Sequence, residues 1–269
     1  MISMFDTLKE LLERNFELYN HINFIDQDPI SIPHAYNKKQ DIEIAGLFAA
    51  IFSWGNRKVI IAKTKELMCR MDNSPHDFVT HFTSKELNIF SNFKHRTFNG
   101  DDVQFFLRFL QKHYASNQSL ENAFLKTKPT RQNKMENALN GFYHYFFEDE
   151  TGIAACRTKK HIAAPEKNST CKRLNMFLRW MVRKDTSGVD FGIWEKLQAA
   201  DLICPLDIHV LRTAKQLKLL KDEKPNWQTA CKLTAQLKKF DKHDPVKYDF
   251  ALFGMGINNK TTFYDKYSN

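Results

Sequence analysis

Glycine and proline are scarce. There are nine glycines and eight prolines in 269 residues, and long stretches carry neither, which argues against a strand-and-turn protein and for helices. Strand patterns are scarce too. The five cysteines, Cys69, Cys156, Cys171, Cys204 and Cys231, include no CxxC pair, so a zinc ribbon or an iron–sulfur cluster has no support. An odd, scattered set reads as reduced intracellular thiols. His34, His161, His209 and His243 are not at metal-ligand spacing. No metal and no cofactor is expected. No apolar run approaches the length of a membrane span, and the opening Met1-Ile-Ser-Met-Phe-Asp-Thr-Leu-Lys-Glu10 has no signal-peptide pattern. The reading is a cytoplasmic protein with no membrane partner. Internal repeats and low-complexity tracts are also lacking.

What is present starts with a 42% apolar content, enough for a sizeable core, in a chain long enough for one large domain or two lobes sharing a cleft. Lys and Arg outnumber Asp and Glu by 40 to 31, a net charge of +9. That excess favours a polyanionic partner, nucleic acid first; the bland alternative is a merely basic soluble protein.

Apolar residues recur at helical spacing along most of the chain. Residues 4–20 carry Phe5, Leu8, Leu11, Leu12, Phe16 and Leu18 mostly on one side. Residues 26–37, punctuated by Pro29 and Pro33, read as a loop. The stretch 41–53 is nearly all apolar, which predicts a buried helix. After the break Trp54-Gly-Asn-Arg-Lys58 the pattern predicts helices at 59–71, 101–114, 133–147, 171–183, 207–220, 226–240 and 244–256. Residues 149–170 read as an irregular loop whose basic run Arg157-Thr-Lys-Lys160 faces solvent or a phosphate. Residues 184–206 read as a connector with a short helix at 192–197, and the end from Asn259 reads as frayed. The fold class is all-α.

Two places carry candidate chemistry. In Pro205-Leu-Asp-Ile-His-Val-Leu-Arg212 an acid stands at the mouth of an amphipathic helix, straight after an apolar run ending in proline. Asp207 there is an ordinary N-cap, or a carboxylate held at the rim of a cleft; the two roles are compatible. Upstream, Lys172, Asn175, Arg179 and Arg183 fall on one polar, basic stripe of the helix at 171–183. A lysine in a first turn opposes the helix dipole, and with Arg173 beside it the free amine is favoured, as a Schiff-base lysine requires. The alternative is a solvated basic face.

Asp207, His209, Val210, Arg212, Leu217 and Leu219 resemble the Asp-x-His-Val-x-Arg…Leu-x-Leu block of the helix-hairpin-helix DNA glycosylases, the superfamily of endonuclease III and adenine glycosylase. The whole chain is similar to a bacterial domain family attached to that superfamily. The blocks that carry this are Asp28-Pro-Ile-Ser-Ile-Pro-His34, Asp41-Ile-Glu-Ile-Ala-Gly46, Trp54-Gly-Asn-Arg-Lys58, Lys172-Arg-Leu-Asn-Met-Phe-Leu-Arg-Trp-Met-Val-Arg183 and Asp244-Pro-Val-Lys-Tyr-Asp-Phe-Ala-Leu-Phe-Gly254. Lys172 stands 35 positions before Asp207, which looks more like the archaeal 8-oxoguanine glycosylase branch than endonuclease III. The Leu-Pro-Gly-x-Gly phosphate hairpin is missing between them. Gly188 and Gly192 are the only glycines there, and the C-terminal four-cysteine cluster is absent.

The resemblance implies two helical lobes around a cleft, residues 42–183 forming one and residues 1–41 with 184–269 the other, with Lys172 and Asp207 in the cleft. It implies a monomeric, nucleoid-associated DNA glycosylase with β-lyase activity in base-excision repair of damaged duplex DNA, on an oxidised purine such as 8-oxoguanine. Lys172 would be the nucleophile, and Asp207 would stabilise the sugar's developing charge. His209 would take a supporting place behind them. Asn56 would wedge into the duplex and Arg57 and Lys58 would hold phosphates, with Trp54 stacking on a base or packing in the core. Arg179 and Arg183 would add cationic DNA contacts. The alternative function is a non-catalytic nucleic-acid-binding protein on the same scaffold, which the missing hairpin glycines favour. A structural protein without a nucleic-acid partner is a third reading.

Overall fold

The structure, a computed structural model, describes residues 4–127, 133–148 and 153–257, with the backbone alone for residues 153–155. The tail from Asn259, and residues 149–152 of the expected loop, lie outside the described residues. The described chain forms eleven α-helices and one small hairpin, so it is all-α as its composition demands. The helices are α1 (Met4–Tyr19), α2 (Lys39–Phe52), α3 (Arg57–Cys69), α4 (Pro75–His81), α5 (Gly100–Tyr114), α6 (Lys134–Phe146), α7 (Ile153–Thr158), α8 (Lys172–Val182), α9 (Ile208–Gln216), α10 (Trp227–Leu237) and α11 (Tyr248–Ile257). Strands β1 (Lys94–His95) and β2 (Phe98–Asn99) pair antiparallel, Lys94 opposite Asn99 and His95 opposite Phe98.

The chain divides into two compact units. Residues 25–164 make one, and residues 1–24 with 165–269 make the other. The boundaries expected from the sequence, at 42 and 183, are displaced for two reasons. Residues 29–35 form 3-10 turns that pack on α2, which ties them to the unit of residues 25–164. The arginines of α8 pair with carboxylates at 185–249, which ties α8 to the other unit. Lys172 and Asp207 therefore belong to the same unit.

In the unit of residues 25–164, α2 is buried along Ile42–Phe52, as a helix apolar on all sides must be. Phe48 and Phe52 meet Phe106, Phe93 and Phe98 at centroid distances of 4.9–5.7 Å, and each buried ring contributes roughly 1.5–3 kcal/mol. Glu43 is wholly buried, which is tolerable because its carboxylate accepts from Tyr114 Oη (2.8 Å), Ser119 Oγ (2.5 Å) and the Leu120 N–H (3.0 Å). The first turn of α5 is a capping box of Asn99 and Asp102. Asp102 also accepts from Thr158 Oγ1 at 2.8 Å and faces His161 at 3.3 Å. Those ties explain why the expected loop at 149–170 instead holds α7 and two 3-10 turns. Helix α4, which hydrophobic periodicity does not predict, is short and begins at Pro75.

In the unit of residues 1–24 and 165–269, α11 packs against α1 and α9 over a core of Leu12, Leu206, Val210, Leu211, Leu233, Leu237, Tyr248, Leu252 and Met255. Of the α1 apolar face, Leu8, Leu11 and Phe16 pack on this core, while Phe5 and Leu18 are exposed. The expected helix at 192–197 does not form. Phe191 N–H and Trp194 N–H instead donate to the carbonyls of Trp180 (2.8 Å) and Met181 (2.9 Å), satisfying the last turn of α8.

The α1–α11 contact depends on one missing side chain. A Cβ on Gly254 would overlap the Tyr19 ring. Gly254→Ala should therefore destabilise the protein by about 1–3 kcal/mol. Adding Tyr19→Ala should recover part of that loss, so a thermal-unfolding double-mutant cycle checks the contact directly.

Candidate functional site

Asp207 is in extended conformation at the N-cap of α9, and its Oδ1 accepts both the His209 and Val210 N–H groups at 2.9 Å. One oxygen is thus spent on the cap. The other, Oδ2, lies 3.7 Å from Lys172 Nζ, with the two side chains about a quarter and a fifth exposed. The cap fixes the carboxylate and leaves one face of it toward the amine. Ile208 beside it is one of the most exposed apolar residues described, at 68%, and His209 keeps a buried Nδ1 without a hydrogen-bond partner among the described residues. The structure brings Lys172 and Asp207 together, while His209 meets Asp207 through its backbone N–H.

Lys172 opens α8, behind Cys171 in the left-handed region (φ +50°). The rest of the stripe does not face solvent. Asn175, Arg179 and Arg183 are buried at 1%, 4% and 3% exposure. Arg179 pairs with Asp190 (3.3 Å) and Asp249 (2.5 Å), and Arg183 with Asp190 (3.0 Å), Asp185 (3.5 Å) and Asp244 (2.7 Å). Both guanidinium groups also stand over the Phe250 ring, at 4.2 and 5.6 Å. Arg179 and Arg183, expected to contact DNA, have their charge taken up inside the fold and are removed from that role. A buried arginine must be paired; Asp185 and Asp190 follow within 11 positions, while Asp244 and Asp249 stand 61 and 70 positions on, beyond the reach of helical periodicity.

The connector after α8 is the place where a phosphate-gripping hairpin is missing. Gly188 and Gly192 do adopt positive φ (+73° and +57°), but the loop closes on its own anion. The N–H groups of Ser187, Val189 and Asp190 donate to the Asp185 carboxylate at 3.1, 2.7 and 3.2 Å. Burial works against that charge, yet the hydrogen bond from Asn20 and the nearby Arg183 hold Asp185 below the usual carboxylate range. The donors that would meet a phosphate here are already occupied.

The turn Trp54–Lys58 lies in the other unit. Asn56 caps α3 by accepting the Val59 N–H at 3.3 Å, so its side chain has a structural duty before any wedge role. Asn56 and Lys58 are exposed and Trp54 and Arg57 half-buried. Trp54 lies under the Arg96 guanidinium at 4.6 Å and meets His95 edge-on at 6.1 Å. Among the described residues no group of three or more His, Cys, Asp or Glu is placed to hold a metal ion, and no helix is long and apolar enough to cross a membrane.

Asp249 is a site residue that the motifs do not single out. Its one signal in the sequence is an acid inside the apolar helix Tyr248–Ile257, which can be buried only with a partner. Burial pushes its carboxyl up to about 6; Arg179 and Lys172 oppose the rise, and Asp207 and Asp190 add to it. Because the folded value lies above the ordinary 3.8, the folded state holds an extra proton between the two values. The stability from Asp249 is complete below about pH 4 and is lost as pH rises through about 6. The stability of Asp249→Asn relative to the unsubstituted protein should therefore rise across that window, by at most about 3 kcal/mol. Thermal unfolding at pH 4, 5 and 6.5 measures it; a flat difference overturns the assignment.

No curated protein and no solved structure matches the chain. A family model does: residues 28–258 match the one described as "Protein of unknown function (DUF2400)", and because that span is most of the chain, the protein belongs to this family.

Proposed function

We propose that the protein is a DNA base-excision glycosylase with β-lyase activity, built on a helix-hairpin-helix glycosylase-like scaffold of two helical lobes. The observation that carries the reading is the 3.7 Å approach of Lys172 Nζ to a carboxylate whose other oxygen is pinned by two backbone N–H groups. The resemblance of the Asp207–Leu219 segment to the glycosylase block supports the same assignment. Oxidised purine, 8-oxoguanine above all, is the proposed base, by kinship with the archaeal branch.

In this reading Lys172 Nζ attacks the sugar C1′. The new C–N bond forms as the glycosidic C–N bond breaks, and the base leaves with the bonding pair and takes up a proton. Asp207 Oδ2 faces the positive charge that develops on the sugar, and the cap keeps it from moving with that charge; fixed dipoles and charges of this kind lower a barrier because no reorganisation is needed. The nitrogen lone pair then opens the sugar ring: the C1′–O4′ bond breaks, O4′ takes up the second proton the amine sheds, and a protonated C1′=N imine forms. That imine acidifies the C2′ proton, whose loss expels the 3′ phosphate. Trp54, Asn56, Arg57 and Lys58 are the proposed duplex contacts. Extruding a base costs a few kcal/mol, least for a damaged one.

Borohydride reduction of a reaction with a lesion-bearing duplex should trap a covalent protein–DNA adduct, and Lys172→Ala should abolish it, since only an amine gives a reducible imine. Trapping that survives this substitution moves the nucleophile elsewhere. Asp207→Asn keeps a good N-cap and should keep fold and DNA binding, yet slow base release by roughly a hundredfold or more. Unchanged release would leave Asp207 as a cap alone. DNA binding with no trapping on any lesion would favour the non-catalytic alternative.

A further inference from the structure

The hairpin β1–β2 and the basic run Arg157–Lys160 line a concavity of about 480 Å³. Lys94, Arg96, Arg157 and Lys160 line it together with the amide side chains of Asn92 and Asn99, and none of its lining residues is acidic. The cations are unequal. Arg157 is tied down, donating to the Thr97 carbonyl (3.0 Å), Asn99 Oδ1 (3.2 Å) and the buried Asp102 carboxylate (3.3 Å). Lys94 and Lys160 are exposed, and neither has an ion-pair partner among the described residues. Like charges held around one hollow repel each other until an anion enters.

Arg96 joins this hollow to the Trp54–Lys58 turn. It takes the first place of the two-residue turn between β1 and β2 at φ +56°, a conformation that glycine or asparagine adopts at far lower cost. The strain sets its guanidinium over the Trp54 ring at 4.6 Å. Gly55, at φ +108°, makes room, because a Cβ there would lie 2.5 Å from Arg96 Nη1. Arg57 and Lys58 follow on the same turn. Through Arg96 the hollow adjoins the Trp54 ring, and cations beside an aromatic ring suit a phosphodiester chain better than a single small anion.

We propose that this hollow seats backbone phosphates of a nucleic-acid strand, with Lys94 and Lys160 as the principal cations. The proposal rests on the DNA reading above for its occupant and on the hollow itself for its chemistry. It places a phosphate grip in the unit of residues 25–164, whereas the glycine-bearing connector after α8 spends its N–H groups on Asp185.

The test measures duplex DNA binding by fluorescence anisotropy across a salt series for the full chain, for Lys94→Ala/Lys160→Ala and for Lys94→Glu/Lys160→Glu. Both lysines are exposed, so thermal midpoints should stay level. Removing one phosphate–lysine pairing should lower the salt slope by about 1. The alanine pair should therefore flatten it by about 2 and weaken low-salt binding about tenfold or more, and the glutamate pair should weaken it further. An unchanged slope in both pairs overturns the seat and leaves the glycosylase reading standing. Lysine-dependent DNA binding without borohydride trapping supports the seat while that reading fails. If the unsubstituted chain binds no DNA at low salt, the nucleic-acid occupant is overturned. Calorimetry with inorganic phosphate and a nucleoside monophosphate then shows whether a free phosphate takes the place.

Discussion

The Arg179 guanidinium, held between Asp190 and Asp249, is the interaction on which the rest of the unit of residues 1–24 and 165–269 depends. Two carboxylates without water around them can share a small space only if a cation stands between them. Arg179 fills that need from α8, Asp190 answers from the connector and Asp249 from α11. Arg183 repeats the arrangement one turn on, reaching Asp185, Asp190 and Asp244. The network fastens together the segments that hold Lys172 and Asp207, and the rise of the Asp249 carboxyl to about 6 shows that desolvation is only partly offset by its partners.

The same constraint decides what the protein offers to a polyanion. A net charge of +9 reads as an open invitation, but arginines on α8 are consumed by buried acids, and the N–H groups of the glycine-bearing connector are turned onto Asp185. Among the solvent-facing cations, which occur in both units, Lys94, Arg96 and Lys160 stand around one hollow. Arg96 is the hinge of that arrangement, strained in its backbone and stacked on Trp54. Internal ion pairing thus removes Arg179 and Arg183 from the charge the protein presents, while the hollow's lysines stay exposed.

Much of this was legible in the order of residues. The scarcity of glycine and proline, with apolar residues at helical spacing, determined an all-α chain and placed most helices within a few residues. The acid after Pro205 determined a helix cap at Asp207, because the side chain and the N–H groups it satisfies are only two or three positions apart. What only the tertiary structure decided were relations between distant residues. Arg179 and Arg183 look solvent-facing by periodicity, and are buried because Asp190, Asp244 and Asp249 come back to meet them. Residues 192–197 look like a helix, and stay irregular because the end of α8 offers carbonyls that need donors. Of the hollow at Lys94, Arg96, Arg157 and Lys160 only the run Arg157–Lys160 is visible in the sequence, since it meets Lys94 and Arg96 only when α7 is tethered to Asp102. Local hydrogen bonding and hydrophobic period are written in the sequence; long-range charge pairing is not, because its energy depends on burial that exists only once the chain has folded.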